Sequence, residues 1–255
     1  MVGMKKLKVC WISAGVSSFI AGYLSRETVA EFIYIDIKDQ HPDSIRFIKD
    51  CEKVLGKPIK ILYPEYGDVD TACRVGGFIN RPKVGAYCTK FLKKRVRKQW
   101  ELEHSDYEIT YVWGFDHKEK NRAQRITDTY PEFTHEFPLI EYSLSKNDCH
   151  ALVMDLGIRR PVMYDLGYPN NNCIGCVKGG MGYWNKIRVD FPEVFERRAK
   201  LERELGCSCI NGLYLDELEP GRGRMDMEIF PECGIMCYLI ASTSISIMMI
   251  VTLHK

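Results

Sequence analysis

Short apolar runs in the first half of the chain each give way to a helical pattern, and this alternation constrains the fold more than any other feature. Residues 8–13 read as a buried strand entering a tight turn, followed by Phe19, Ile20, Tyr23 and Leu24 at helical spacing. Residues 31–36 form a second strand ending on a carboxylate, and Asp43 caps a helix that Gly56 closes. Residues 59–62, 108–113 and 133–137 add three more strands, with helices over 89–103 and 118–129. Strands alternating with helices need crossover connections. The expected class is therefore α/β, with an open, mostly parallel, doubly wound sheet.

The character changes after Ser145, which caps a helix over 145–156 with Asp148 completing a capping box. From Pro161 regular alternation fades, and Gly, Asn and Cys concentrate between 167 and 182. A last helix runs from Pro192 to its terminator Gly206. The expected organisation is a nucleotide-binding α/β domain at 1–157, a Cys-rich C-terminal appendix at 158–237 and an apolar tail at 238–255. The tail carries no charge before His254. It is short for a spanning helix and rich in β-branched residues, so it reads as a packed strand or an arm against another subunit, giving a homo-oligomer and no membrane contact.

A chain of 255 residues, 45% hydrophobic, can bury a full core. Its net charge of +2 argues against wholesale coating of nucleic acid. The start lacks the long apolar stretch of a secretory signal, which points to the cytoplasm. There thiols stay reduced, so eleven cysteines suggest metal or redox chemistry before disulfides.

The first strand-to-helix turn is Ser13-Ala14-Gly15-Val16-Ser17-Ser18. Small residues let backbone amides approach a phosphate, the helix adds its positive end, and Ser13, Ser17 and Ser18 offer hydroxyl donors. An ordinary tight turn fits the composition equally well. The Gly-Lys-Ser/Thr ending of a P-loop and the Gly-x-Gly-x-x-Gly of a dinucleotide site are both absent.

This turn resembles the Ser-Gly-Gly-x-x-Ser pyrophosphate loop of the ATP pyrophosphatase (adenine nucleotide alpha hydrolase-like) superfamily, which includes phosphoadenosine phosphosulfate reductases and ATP-dependent sulfurtransferases. Ala14 replaces the usual first Gly, and Ser17 replaces the Asp of many members. By that likeness ATP or phosphoadenosine phosphosulfate binds at residues 13–18, Asp36 contacts the adenosine, Gly114 lets the nucleotide approach the backbone, and Arg122 pairs with its anionic part. Outside the resemblance, Asp36 reads as a solvated loop carboxylate and Arg122 as an exposed helix cation.

Cys173-Ile174-Gly175-Cys176 is a Cys-x-x-Cys knuckle, suited to a zinc site, a cluster or a redox dithiol. Cys88 stands before a basic helix, and it resembles one of the cysteine pair that joins a later Cys-x-x-Cys around the [4Fe–4S] cluster of sulfonucleotide reductases. Its neighbour Tyr87 leaves that pair incomplete. The resemblance implies Cys88, Cys173 and Cys176 as ligands, with Cys233, Cys237 or Cys209 as the fourth, or none. The alternative is zinc held by Cys173, Cys176, Cys233 and Cys237. Cys10, Cys51, Cys73 and Cys149 read as core. The basic run Lys90 to Lys98 is a solvated face, or a contact for phosphate, sulfate or nucleic acid, and residues 178–186 read as a flexible cationic loop with stacking aromatics.

The expectation is an enzyme of sulfur chemistry. It binds an adenine nucleotide, uses Cys88 and Arg122 catalytically, and works with an electron or sulfur donor protein and in one version a nucleic-acid acceptor. The competing expectation is a non-catalytic nucleotide or nucleic-acid binding module with structural zinc.

Overall fold

A computed structural model describes residues 5–81, 85–227 and 235. The strands are β1 (Lys5–Ile12), β2 (Glu31–Ile35), β3 (Ile59–Leu62), β4 (Asn80–Arg81), β5 (Gly85–Ala86), β6 (Tyr107–Val112) and β7 (Thr134–Glu136). β4 and β5 pair only with each other, antiparallel. The other five form an all-parallel sheet in the order β3-β2-β1-β6-β7. The order reverses between β1 and β6, which are paired from Lys5 with Tyr107 to Cys10 with Val112. In an open parallel sheet that reversal leaves a crevice beyond the carboxyl ends of the strands.

Both faces of the sheet are covered, as an all-parallel sheet requires. The helices are α1 (Val16–Leu24), α2 (Asp43–Leu55), α3 (Val69–Gly76), α4 (Tyr87–Thr89), α5 (Arg95–Glu103), α6 (Lys120–Thr129), α7 (Pro138–Glu141), α8 (Lys146–Asp155), α9 (Val162–Asp165), α10 (Met181–Asp190) and α11 (Pro192–Leu205). Cys10, Ile12, Phe32 and Tyr34 join Phe19, Phe47 and Val153 of α1, α2 and α8 in one apolar layer. Val9, Trp11, Ile33 and Tyr111 face the other way, into a layer with Trp100, Ile126, Trp184 and Leu201. Successive strand side chains point to opposite faces, so each central strand feeds both layers.

Residues 163–218 contribute to that second layer together with the sheet. Arg198 of α11, fully buried, reaches Asp39 after β2 and Asp70 of α3. Glu202 accepts hydrogen bonds from the amides of Cys209 and, at 2.6 Å, Leu215. The loop after α11 is thereby anchored on a buried carboxylate.

The expected ends of α8 and α11 are found. Ser145 and Asp148 make a reciprocal capping box, and Gly206 ends α11 at φ 63°. Three expectations need correction. Asp43 is not the cap of α2; Pro42 holds that position, and the Asp43 carboxylate instead accepts from Arg46 Nη2 at 2.7 Å and the Val162 amide at 2.9 Å. The helix expected over 89–103 starts at Tyr87 and carries a π-helical turn at Lys90–Lys94. Residues 181–190 are helix α10 rather than flexible loop, with Trp184 fully buried. Among the described residues, no helix is long and apolar enough to cross a membrane. The tail at 238–255, and Cys233 and Cys237 with it, lies outside the described residues.

Candidate functional site

The reversal of strand order opens onto a cleft of about 840 Å³, counting its open mouth. Its floor is the turn between β1 and α1, where Ser13, Gly15 and Ser18 line the cleft. Ala14 has φ 57°, the left-handed region that a residue with a Cβ enters at a cost of about 1–2 kcal/mol. Gly15 is the N-cap of α1 in extended geometry, and no side chain caps the helix. The Val16 amide donates to the Tyr164 hydroxyl at 3.4 Å, a long bond.

The serines do something other than expected. Ser18 Oγ donates to Gly15 O at 3.0 Å and accepts from the Ser13 amide at 3.0 Å. Its single proton is then spent, so Ser13 Oγ, also 3.0 Å away, is the donor of that pair. Ser13 and Ser18 therefore tie the turn together, while Ala14, Val16 and Ser17 are buried beneath it. What the turn offers an anion is backbone amide and helix dipole.

Trp113, Gly114 and Phe115, just past β6, form one wall with Arg122 and Ile126 of α6. Trp113 and Phe115 stack at 5.7 Å, and Trp113 Nε1 donates to His135 Nδ1 at 3.0 Å. A Cβ on Gly114 would lie 2.5 Å from Ser18 Cα, so glycine here admits the first turn of α1 as well as lining the cleft. Arg122 lies over the Phe115 ring at 4.3 Å and pairs with Glu119 at 2.6 Å.

Sequence reasoning missed the far wall. Asn170, Asn171 and Asn172 line it, as do Gln40 and Trp11. Gln40 Oε1 accepts from Tyr34 Oη at 2.8 Å and the Ile37 amide at 3.0 Å, which turns its NH₂ the other way. Asp36 is not among the lining residues. Its amide donates to Leu62 O at 2.9 Å, and burial raises its carboxyl pKa against the opposing Tyr34 hydroxyl.

A second, apolar pocket of about 350 Å³, its open mouth included, is lined by cysteines. Cys88, at the start of the basic helix, and Cys173 and Cys176 of the knuckle all line it. Gly175 at φ 69° permits the knuckle's turn, and the Ile174 amide anchors it to Asp39 O at 2.7 Å. The Tyr183 hydroxyl closes it, accepting from the Cys176 amide at 2.9 Å and donating to Cys173 O at 3.3 Å. Tyr87, which fills the second cysteine position of the resemblance, stacks on Phe91 at 5.3 Å and packs 4.0 Å from Phe78. Cys209 lies elsewhere, buried beside Glu202, and burial raises its thiol pKa well above the ordinary value.

Lys93 lines both cavities. It lies in the π-helical turn and is buried, unlike the solvated cation expected of a basic run. Cysteine thiolates are the usual ligands of iron–sulfur clusters, and Lys93 and Lys178 line the cavity beside these three thiols. Among the described residues, no three His, Cys, Asp or Glu side chains converge as a metal set.

The fold and cleft define an α/β protein with a crevice at the switch point of a parallel sheet. No protein-family model matches the chain. No curated protein matches it either.

Proposed function

We propose that the chain is an enzyme of sulfur chemistry that binds an adenine nucleotide in the cleft, with its anionic end on the first turn of α1. The observation that carries the reading is the position of Lys93, which borders both the cleft of the serine turn and the cavity of Cys88, Cys173 and Cys176. A phosphate or sulfate at the turn would then lie one cationic side chain from three thiols. The likeness to the phosphoadenosine phosphosulfate reductases and ATP-dependent sulfurtransferases suggests the class, and the strand order is compatible with their sheet.

Two reactions fit. In the first, a thiolate attacks the sulfur of a sulfonucleotide and the nucleoside phosphate leaves. In the second, ATP activates an oxygen of an acceptor, and sulfur then displaces the activated group. Both need charge on the departing phosphate stabilised, by first-turn amides and by Arg122 on the wall beside the turn. A [4Fe–4S] cluster held by Cys88, Cys173 and Cys176 would supply electrons or hold sulfur. The zinc-module reading leaves Cys88 without a role, and its place in the same cavity favours the cluster.

Gly15→Asp tests the nucleotide site. Gly15 is a buried N-cap at φ −104°, ψ 154°, backbone geometry that suits aspartate, so a carboxylate there is expected to repel an anion, with circular dichroism checking that the variant folds. Calorimetry with ATP and adenosine 3′,5′-bisphosphate is expected to give binding to the native chain and none to Gly15→Asp. Unchanged affinity would remove the turn from the account. Iron with acid-labile sulfide after anaerobic purification supports the enzyme; stoichiometric zinc in a colourless protein supports the binding module.

A further inference from the structure

Asn171 is buried, and its side chain is held in one orientation by two bonds from the same nitrogen. Nδ2 donates to Ala14 O at 2.8 Å and to Ser44 Oγ at 3.0 Å. A carbonyl oxygen can only accept, so flipping the amide would set two acceptors against each other. Oδ1 is thereby fixed one amide group away from the serine turn. It is buried, it has no hydrogen-bond partner among the described residues, and its residue lines the cleft.

A second side chain has the opposite need. Trp11 Nε1 is a buried donor without a partner among the described residues, on the strand that leads into the turn, and Trp11 also lines the cleft. An acceptor and a donor that no described residue pairs therefore belong to residues lining the cleft, beside a helix start whose N-cap, Gly15, has no side chain to cap it. Buried polar groups in folded proteins are nearly always satisfied, so an unpaired acceptor on a cleft-lining residue calls for a partner from the cleft.

We infer that Asn171 Oδ1 accepts a hydrogen bond from a ribose hydroxyl of the nucleotide, making the site selective for ribonucleotides over deoxyribonucleotides. This rests on the nucleotide reading above. The hydroxyl is favoured over the exocyclic amine of the base by position. Asn171 bonds the turn that takes the phosphate, and the sugar is the group joined to the phosphate, whereas the amine lies at the far end of the ligand. A ribose diol also carries an acceptor for Trp11.

The test titrates the native chain with ATP, 2′-deoxy-ATP, 3′-deoxy-ATP and inosine triphosphate, and with adenosine 3′,5′-bisphosphate against its 2′-deoxy form. Losing the hydroxyl that Asn171 reads leaves a buried acceptor unpaired, so one deoxy form is expected to bind about tenfold or more weakly. In Asn171→Ala the ratio between ribo and deoxy forms is expected to fall to about one, whatever happens to absolute affinity. The side-chain amide resonance of the native Asn171 should move with ATP and not with the discriminated deoxy form, a readout that needs no variant to fold. Equal affinities in the native chain overturn the inference, as does a ratio that survives in Asn171→Ala. Weakening confined to inosine triphosphate moves the contact to the base and overturns it too. Failure of every nucleotide to bind removes the nucleotide reading and this inference together; binding without discrimination removes this inference alone.

Discussion

Gly114 and Ser18 are in backbone contact: a Cβ on Gly114 would stand 2.5 Å from Ser18 Cα and 2.6 Å from Ser18 N. The end of β6 thus fixes the height of the first turn of α1. A methyl group here meets main chain, which cannot swing aside as a side chain can. Gly114→Ala is expected to cost about 1–3 kcal/mol in urea unfolding and to abolish nucleotide binding by displacing the turn. Native affinity in a destabilised Gly114→Ala would separate the turn from the ligand.

Tyr183→Phe tests what holds the cysteine knuckle. Its hydroxyl serves the Cys176 amide and Cys173 carbonyl, and the residue is buried. Removing it withdraws one hydrogen bond from each group, for a loss of about 1–3 kcal/mol. Iron content should fall in step if the knuckle is a ligand pair. A stable variant with full iron loading would contradict this.

Asp43 predicts an acid-sensitive clamp. Its hydrogen bonds from Arg46 lower its pKa to about 2, with the Val162 amide contributing. A carboxyl depressed in the folded state stabilises above its ordinary 3.8, and that stabilisation is lost as pH falls through about 2. With the side chain 11% exposed, a contribution of about 1–2 kcal/mol at neutral pH is expected. The stability difference between native and Asp43→Asn chains should shrink progressively below pH 4 and vanish near pH 2. A gap unchanged down to pH 2 would be the contrary result.

His135 couples pH to the cleft wall. Nδ1 accepts from Trp113 Nε1, so Nε2 carries the proton and donates to Tyr130 O at 2.9 Å. Burial lowers the pKa below the ordinary 6.5. The unfolded chain then binds protons first, so stability is full above 6.5 and declines as pH drops toward the folded value. Protonation also sets an N–H against the Trp113 N–H. Proton NMR should find the His135 midpoint below 6.5, with Trp113 resonances shifting in parallel; a midpoint above 6.5 would contradict the assignment.

The sheet was legible because its strands are short, apolar and separated by breakers, and the caps at Ser145 and Gly206 announce their helices locally. Helix α10 was not, because Gly179, Gly180 and Gly182 look like loop. Gly182 is required there by tertiary contact, since a Cβ would lie 2.5 Å from the Met225 amide nitrogen. The turn at 13–18 and the Cys-x-x-Cys knuckle stand out as local patterns. Asn171 does not: it meets Ala14 across 157 residues of chain, and nothing in the neighbourhood of either residue encodes that. The run Asn170-Asn171-Asn172 ahead of the knuckle was the signal available, three amides in a row where a loop needs none.

Backbone amide NMR during titration with ATP or adenosine 3′,5′-bisphosphate tests the central claim most directly. The largest shifts are expected at Gly15, Val16, Ser17 and Ser18, with Gly114 and Trp113 following. Saturable binding that leaves those amides unmoved, or no binding of either nucleotide, would contradict it.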